Sequence, residues 1–160
     1  MIIGIGIDIV EVARIHKMID EYENSHCEDL SEAIHNKIDC HANVLNDSKN
    51  SLTKIWTAEE IDYCNSYGKR KYEHFAARFA IKEAFSKAIG TGISFSNSNP
   101  NSFSFCDVSV INLETGKPQL VLSDKIKGLF SEHSIHISIS HTEQNAVGVV
   151  VIEKSDVANR

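Results

Sequence analysis

The chain has 160 residues, 42% hydrophobic and 24% charged, with a formal net charge of −6. That composition fits one soluble globular domain able to bury its own core, and no apolar run approaches the roughly 20 residues of a membrane helix. Residues 20–50 hold eight acids (Asp20, Glu21, Glu23, Glu28, Asp29, Glu32, Asp39, Asp47) against two bases (Lys37, Lys49), and the remainder is balanced at fourteen of each. A basic working face is therefore compatible with the acidic total. A nucleic-acid site is not expected, since no basic stripe with interleaved aromatics occurs.

Met1–Val10 is apolar but lacks a basic flank and carries Asp8, unlike a signal peptide, so the protein is read as cytoplasmic. Cys27, Cys40, Cys64 and Cys106 are scattered and read as buried free thiols. His26, Cys27, His35, Cys40 and His41 match no zinc spacing.

The first ten residues alternate, with Ile3, Ile5, Ile7 and Ile9 on one face and Gly4, Gly6 and Asp8 on the other. This predicts a strand with a packed isoleucine face and a glycine face stripped of side chains. Asp8 has two readings: a cap for the next helix, or a strand-end carboxylate toward which the glycines clear space for a ligand or metal. Val12, Ile15, Ile19 and Tyr22 follow helical spacing. Ser25–Glu28 resembles a capping box that would start a second helix through Leu30, Ile34, Ile38 and Leu45, and 43–51 is polar and turn-rich.

Thr57-Ala-Glu-Glu60 is a better capping box, with Trp56 and Ile61 at hydrophobic-staple positions, for a helix ending near Gly68. A longer helix is expected over about 72–89, stopping at Gly90. Its segment FAARFAIKEAFSKAI is apolar nearly all round, yet it carries Arg78, Lys82, Glu83 and Lys87. Charges on a buried helix are costly unless paired or bound. They read either as structural ion pairs, Glu83–Lys87 being i,i+4, or as a site for a phosphorylated ligand.

After a Ser/Asn-rich loop (94–104), a strand over 103–113, a turn at 114–118, a return strand over 119–122 and a short helix capped by Ser123 are expected. Two further strands, 135–140 and 146–152, flank a turn that carries His141 with neighbouring hydroxyls, either as a plain surface turn or as a ligand-facing one. Segregated helices and hairpins indicate an α+β fold, a small antiparallel sheet with packed helices and one long central buried helix.

Three blocks, GIGIDIVEVARI, FAARFAIKEAFSKAIGTG and ISISHT, with Lys117-Pro118 as a weaker fourth, resemble the holo-acyl-carrier-protein synthase family of 4′-phosphopantetheinyl transferases. The resemblance covers 1–19, 54–93 and 105–152, and residues 23–53 look like an insertion within the single domain. It implies transfer of the 4′-phosphopantetheine arm of coenzyme A to a serine of apo-acyl carrier protein, releasing adenosine 3′,5′-bisphosphate and supporting fatty acid biosynthesis. By the resemblance, Asp8 and Glu83 are the Mg2+ ligands. Arg78, Lys82, Ser86, Lys87, Gly90, Thr91 and Pro118 contact coenzyme A or shape its pocket, and His141 stands beside it. Arg14, Lys17 and Met18 on the first helix meet the carrier protein. A homotrimer with sites at subunit interfaces is implied as well.

The residues suit such chemistry independently. Mg2+ takes one or two carboxylates plus substrate phosphates, and Lys87 can stabilise a leaving phosphate. The general base is Glu83 acting through a bound water, with His141 as the second choice. Against the family pattern, Asp20, Glu21 and Glu23 are acidic where further bases would help. Either other bases, such as Lys69-Arg70-Lys71, share the docking, or the acidic stretch turns away. Two other classes stay open to test: a coenzyme A-binding module without catalysis, and an interaction protein whose helix charges only pair.

Overall fold

The computed structural model describes residues 1–33, 52–90 and 103–155. Strand β1 (Ile2–Glu11) runs directly into helix α1 (Val12–Ala33), and α2 (Ala58–Asn65) and α3 (Lys71–Ile89) follow. Then come β2 (Val108–Asn112), β3 (Pro118–Leu122), a single helical turn α4 (Asp124–Lys127), β4 (His133–His141) and β5 (Asn145–Lys154). The sheets are antiparallel, one of three strands in the order β1-β5-β4 and one a β2-β3 hairpin. The fold is α+β, as the hairpins and segregated helices predict.

Helix α3 is the centre of the molecule, and its register against the sheet is set by backbone contact. A Cβ on Gly6 would stand 1.9 Å from the Ala84 carbonyl oxygen, and one on Gly4 would stand 2.3 Å from that of Ala88. On β5, a Cβ at Gly148 would come within 2.7 Å of the Ala80 carbonyl carbon. Ala80, Ala84 and Ala88 recur every four residues, so one line of the helix lies on three glycines. The glycine face therefore receives a helix; the expectation that it clears space for a ligand is corrected.

The isoleucine face also differs from expectation. Ile3, Ile5, Ile7 and Ile9 are 49–66% exposed, and the sheet pairs Ile5, Ile7 and Ile9 with Val151, Val149 and Val147. Alternation correctly separated two faces, but the buried face is that of Gly6 and Val10. The core lies instead around α3. Val10, Ile15, Ile19, Trp56, Phe75 and Phe79 form one cluster, and Ile81, Phe85, Phe103, Val108, Val110, Val150 and Ile152 form the other.

Local signals hold where they are strongest. Thr57 caps α2 with a reciprocal capping box to Glu60, and Gly90 ends α3 in the left-handed conformation at φ 73°. The Ser25–Glu28 box does not start a helix, because α1 continues through it without a break. The strand expected from Phe103 begins only at Val108, after a 3-10 turn over Phe105–Asp107. Ser123 stands at the N-cap of α4 but donates its hydroxyl to Asp107 Oδ1 instead of capping. Cys64 is a buried free thiol, with burial raising its pKa to about 12, while free Cys106 is half-buried and donates to the Thr53 carbonyl. The remaining expectations for 34–51, Thr91 and 94–102 fall outside the described residues, as do the side chains of His26 and Cys27. No helix among the described residues is long and apolar enough to cross a membrane.

Candidate active site

The site grows from the contact between Gly6 and Ala84. Two residues beyond Gly6, β1 presents Asp8; one residue before Ala84, α3 presents Glu83, and one turn later Lys87. Lys87 Nζ donates to Asp8 Oδ1 at 2.7 Å and to the Ile7 carbonyl at 3.2 Å. Asp8 is thus neither a helix cap nor at the strand end, since β1 continues three residues past it. Lys87 is half exposed, so the group opens on the surface. Burial and the neighbouring Asp8 carboxylate push the Glu83 carboxyl above its ordinary range, against the pull of Lys87 and Arg14. Two carboxylates stand close enough to repel, and a half-exposed lysine ammonium pairs with one of them. That donor set fits a hard cation with open positions for phosphate oxygens, Lys87 occupying meanwhile the charge role beside Asp8. Among the described residues no group of three or more His, Cys, Asp or Glu side chains could hold a metal, so any cation here relies on this pair and on substrate or water.

Three residues expected at the coenzyme A pocket lie inside the protein. Lys82 is fully buried, and its ammonium donates to the Ile55 carbonyl (2.6 Å), Glu60 Oε2 (2.6 Å) and the Phe105 carbonyl (3.0 Å). All three donors are committed, which corrects its assignment to the cofactor. Desolvation lowers the Lys82 pKa, and Glu60 opposes that shift. Arg78 is also buried: its guanidinium donates to Asn112 Oδ1 and the His74 carbonyl and lies 4.0 Å from the Tyr63 ring centre. Ser86 is buried, so it shapes the helix's packing and presents little surface to a ligand.

His141, at the end of β4, is remote from Glu83 within one chain. Its Nδ1 lies 3.2 Å from Glu73 Oε2, without the alignment of a hydrogen bond, and its ring meets His74 edge-on. Ten residues of α3 separate Glu73 from Glu83, about 15 Å along the axis. Pro118 opens β3 and lines a cleft of about 440 Å³ with Lys117, Ile135 and His136. The structure thus brings together Asp8, Glu83, Lys87 and Arg14, and leaves His141 and Pro118 on other surfaces.

The first helix resolves its own charge puzzle. Tyr72 donates its hydroxyl to Asp20, Lys71 donates to Glu23 at 2.7 Å, and His16 lies 3.2 Å from Asp20 and stacks on Tyr72. Asp20 and Glu23 are tied to the start of α3, while Arg70 is taken by Glu73. Arg14 and Lys17 remain exposed on the outer face, Arg14 reaching over Phe79 and Lys17 loosely paired with Glu21. Met18 is half-buried against the core. Buried Glu60 and Glu73 and exposed Asn112 are side-chain partners that no local pattern announced, except for the capping role of Glu60.

A carboxylate pair lies beside an exposed lysine, on a helix laid over a glycine-faced sheet. The 4′-phosphopantetheinyl transferase superfamily profile matches residues 4–150. A holo-[acyl-carrier-protein] synthase of Bacillus cereus (strain AH187) is 38% identical over 155 residues, covering 97% of this chain and 98% of that protein. The crystal structure of a holo-(acyl-carrier-protein) synthase from Bacillus anthracis str. Ames in complex with CoA (3′,5′-ADP) matches with a TM-score of 0.66 at 36% identity, covering 97% of this chain and 99% of that one. The Helicobacter pylori synthase, solved in complex with coenzyme A, gives a TM-score of 0.65 at 28% identity over 93% and 99% of the two chains. This chain belongs to the 4′-phosphopantetheinyl transferase superfamily.

Proposed function

We propose that this protein is a magnesium-dependent holo-acyl-carrier-protein synthase. It transfers the 4′-phosphopantetheine arm from coenzyme A to a serine of apo-acyl carrier protein. The observation that carries this reading is the meeting of Asp8, Glu83 and Lys87 at the Gly6–Ala84 contact.

In the transfer, the serine oxygen forms a bond to the phosphorus that bears the arm, and the pyrophosphate P–O bond breaks. Adenosine 3′,5′-bisphosphate leaves with that electron pair. Such a reaction asks the protein mainly for positioning and charge. Bound Mg2+, held by Asp8 and Glu83, would neutralise phosphate oxygens. Lys87 leaves Asp8 for the departing phosphate, a movement of a flexible half-exposed side chain. The ionised Glu83, made more basic by burial and by Asp8, accepts the serine proton through a bound water.

The working unit is a homotrimer. Four exposed isoleucines in a row, extended by half-buried valines of β5, form an apolar sheet face of the kind an interface between subunits covers. Sharing sites between subunits also accounts for His141 and Pro118: a neighbour's copies would complete the coenzyme A pocket that one chain leaves divided. The carrier protein docks on Arg14, Lys17 and the exposed part of Met18, a basic face free of Asp20 and Glu23. The setting is cytoplasmic, in the supply of carrier protein for fatty acid synthesis.

Incubation with coenzyme A, Mg2+ and apo-acyl carrier protein tests the reading by intact mass. The carrier gains one phosphopantetheine arm, and omission of Mg2+ prevents it. A carrier unchanged in mass would overturn it and leave the binding-module reading.

A further inference from the structure

Helix α3 is held from two opposite sides, and the side away from the sheet combines aromatic packing of Phe75 and Phe79 with a buried ion pair. On the sheet side, Ala80, Ala84 and Ala88 lie on Gly148, Gly6 and Gly4. Lys82 is two residues from both Ala80 and Ala84, about 160–200° around the helix, so it points directly away from the sheet. There its ammonium reaches three acceptors on three separate segments: Ile55, beside the 3-10 turn Leu52–Lys54; Glu60, in α2; and Phe105, in the 3-10 turn before β2. Glu60 is itself fully engaged. Its Oε1 accepts from the Val110 amide of β2 and its Oε2 accepts from the Thr57 amide, both at 2.9 Å. One ion pair therefore ties α3 to α2 and to the β2-β3 hairpin at a single point, with both side chains fully removed from solvent.

Apolar packing is non-directional, whereas an ammonium held by three acceptors on three segments tolerates only a narrow range of helix rolls. Side-chain ends on α3 lie about 5–6 Å from its axis, so a 20° roll moves the Glu83 carboxylate by about 2 Å relative to Asp8. Misplacement by 1 Å in a site that works by positioning can cost about 100-fold in rate. A buried ion pair is weak evidence for stability, because desolvation offsets much of its attraction; its best-attested use is to select one arrangement among several.

We propose that Lys82 and Glu60 are positioning residues, whose buried ion pair fixes the roll of α3 and so aims Glu83 and Lys87 at Asp8. Neither touches a substrate. The inference rests on the phosphopantetheinyl transfer reading only for its activity arm.

Lys82→Met and Glu60→Gln are the variants, with Glu60→Gln the milder because it leaves Lys82 its two carbonyl acceptors. Folded fraction is read by circular dichroism, and kcat is expressed per folded molecule. We expect Glu60→Gln to lower kcat 10-fold or more while the KM for coenzyme A changes less than 3-fold. The double variant, which leaves neither charge alone in the core, should melt above Lys82→Met and stay as slow. A merely structural pair lowers Tm but leaves kcat per folded molecule within 2-fold of the parent, and that result overturns the proposal. The crystal structure of Glu60→Gln supplies an arm independent of activity. A Glu83 carboxylate displaced by 1 Å or more relative to Asp8 supports the inference, and an unmoved one refutes it even should the parent prove to transfer nothing.

Discussion

Replacing Gly6 by alanine probes the contact on which the site is built. The added Cβ would fall 1.9 Å from the Ala84 carbonyl oxygen and 2.8 Å from the Ala88 amide nitrogen, and both are helix backbone atoms. No rotamer change can relieve a clash between two backbones, so β1 and α3 must separate by an ångström or more. Overpacking of this kind costs about 1–3 kcal/mol or more, and about 3 kcal/mol in a domain of this size lowers Tm by roughly 6–12 °C. The same separation moves Asp8 away from Glu83, so activity per folded molecule falls as well, by about 100-fold for a shift near 1 Å. Gly116→Ala is the control. It sits at φ 81° with open space around it, on the β2-β3 turn, and should cost about 1 kcal/mol in backbone strain with no change in kcat. Thermal denaturation and carrier-protein labelling rates measure the two effects. A Gly6→Ala protein within 0.5 kcal/mol of the parent, or fully active when folded, would refute the claim that the glycine face exists to receive α3.

The other predictions concern charge. Asp8→Asn should bring the Glu83 carboxyl down toward its ordinary range, because it removes the repelling carboxylate; an NMR titration in which Glu83 does not move would contradict the assigned cause. His74 is lowered to about 4 by burial and by nearby cations, from an ordinary 6.5. The unfolded chain then binds more protons between those values, so stability present above about 6.5 is lost as the pH falls toward 4. Denaturant melts of His74→Phe should show a shallower loss across that window, while the loss from Glu73 and Asp107, whose carboxyls are held low by Arg70 and by Ser104, Ser123 and Lys125 despite burial, falls mainly below about pH 4.5 and remains. Lys17→Glu should raise the KM for carrier protein several-fold in a salt-dependent way and leave that for coenzyme A unchanged; equal shifts in both would argue against docking there. Ile7→Lys should convert a species near three times 17.8 kDa to the monomer in sedimentation, with loss of activity; an unaltered trimer would place the interface elsewhere.

Much of this architecture was legible in the sequence because its causes are local. The Thr57–Glu60 capping box and the Gly90 stop need only residues within one turn, and both appear as predicted. The joining of Asp8 to Glu83 came from the family resemblance, since the glycine face by itself read as room for a ligand and not as the bed for α3. What spacing could not give is which partner a charge takes. Lys82 sits on the charged half of the helix and resembles Lys87 in every local respect. Only Ile55, Glu60 and Phe105, more than twenty residues away, make it structural. The isoleucine alternation likewise distinguishes two faces without telling whether the apolar one meets this chain or another copy of it. The acidity of Asp20 and Glu23 could not be discounted before Tyr72 and Lys71 were seen to take them.

The most direct test of the account combines intact-mass analysis of apo-acyl carrier protein with single replacements in the carboxylate pair. With coenzyme A and Mg2+, the parent protein should add one phosphopantetheine arm, while Asp8→Asn and Glu83→Gln, folded normally by circular dichroism, should add none at the same enzyme concentration. Near-parental transfer by either variant would contradict the assignment of the site to Asp8 and Glu83.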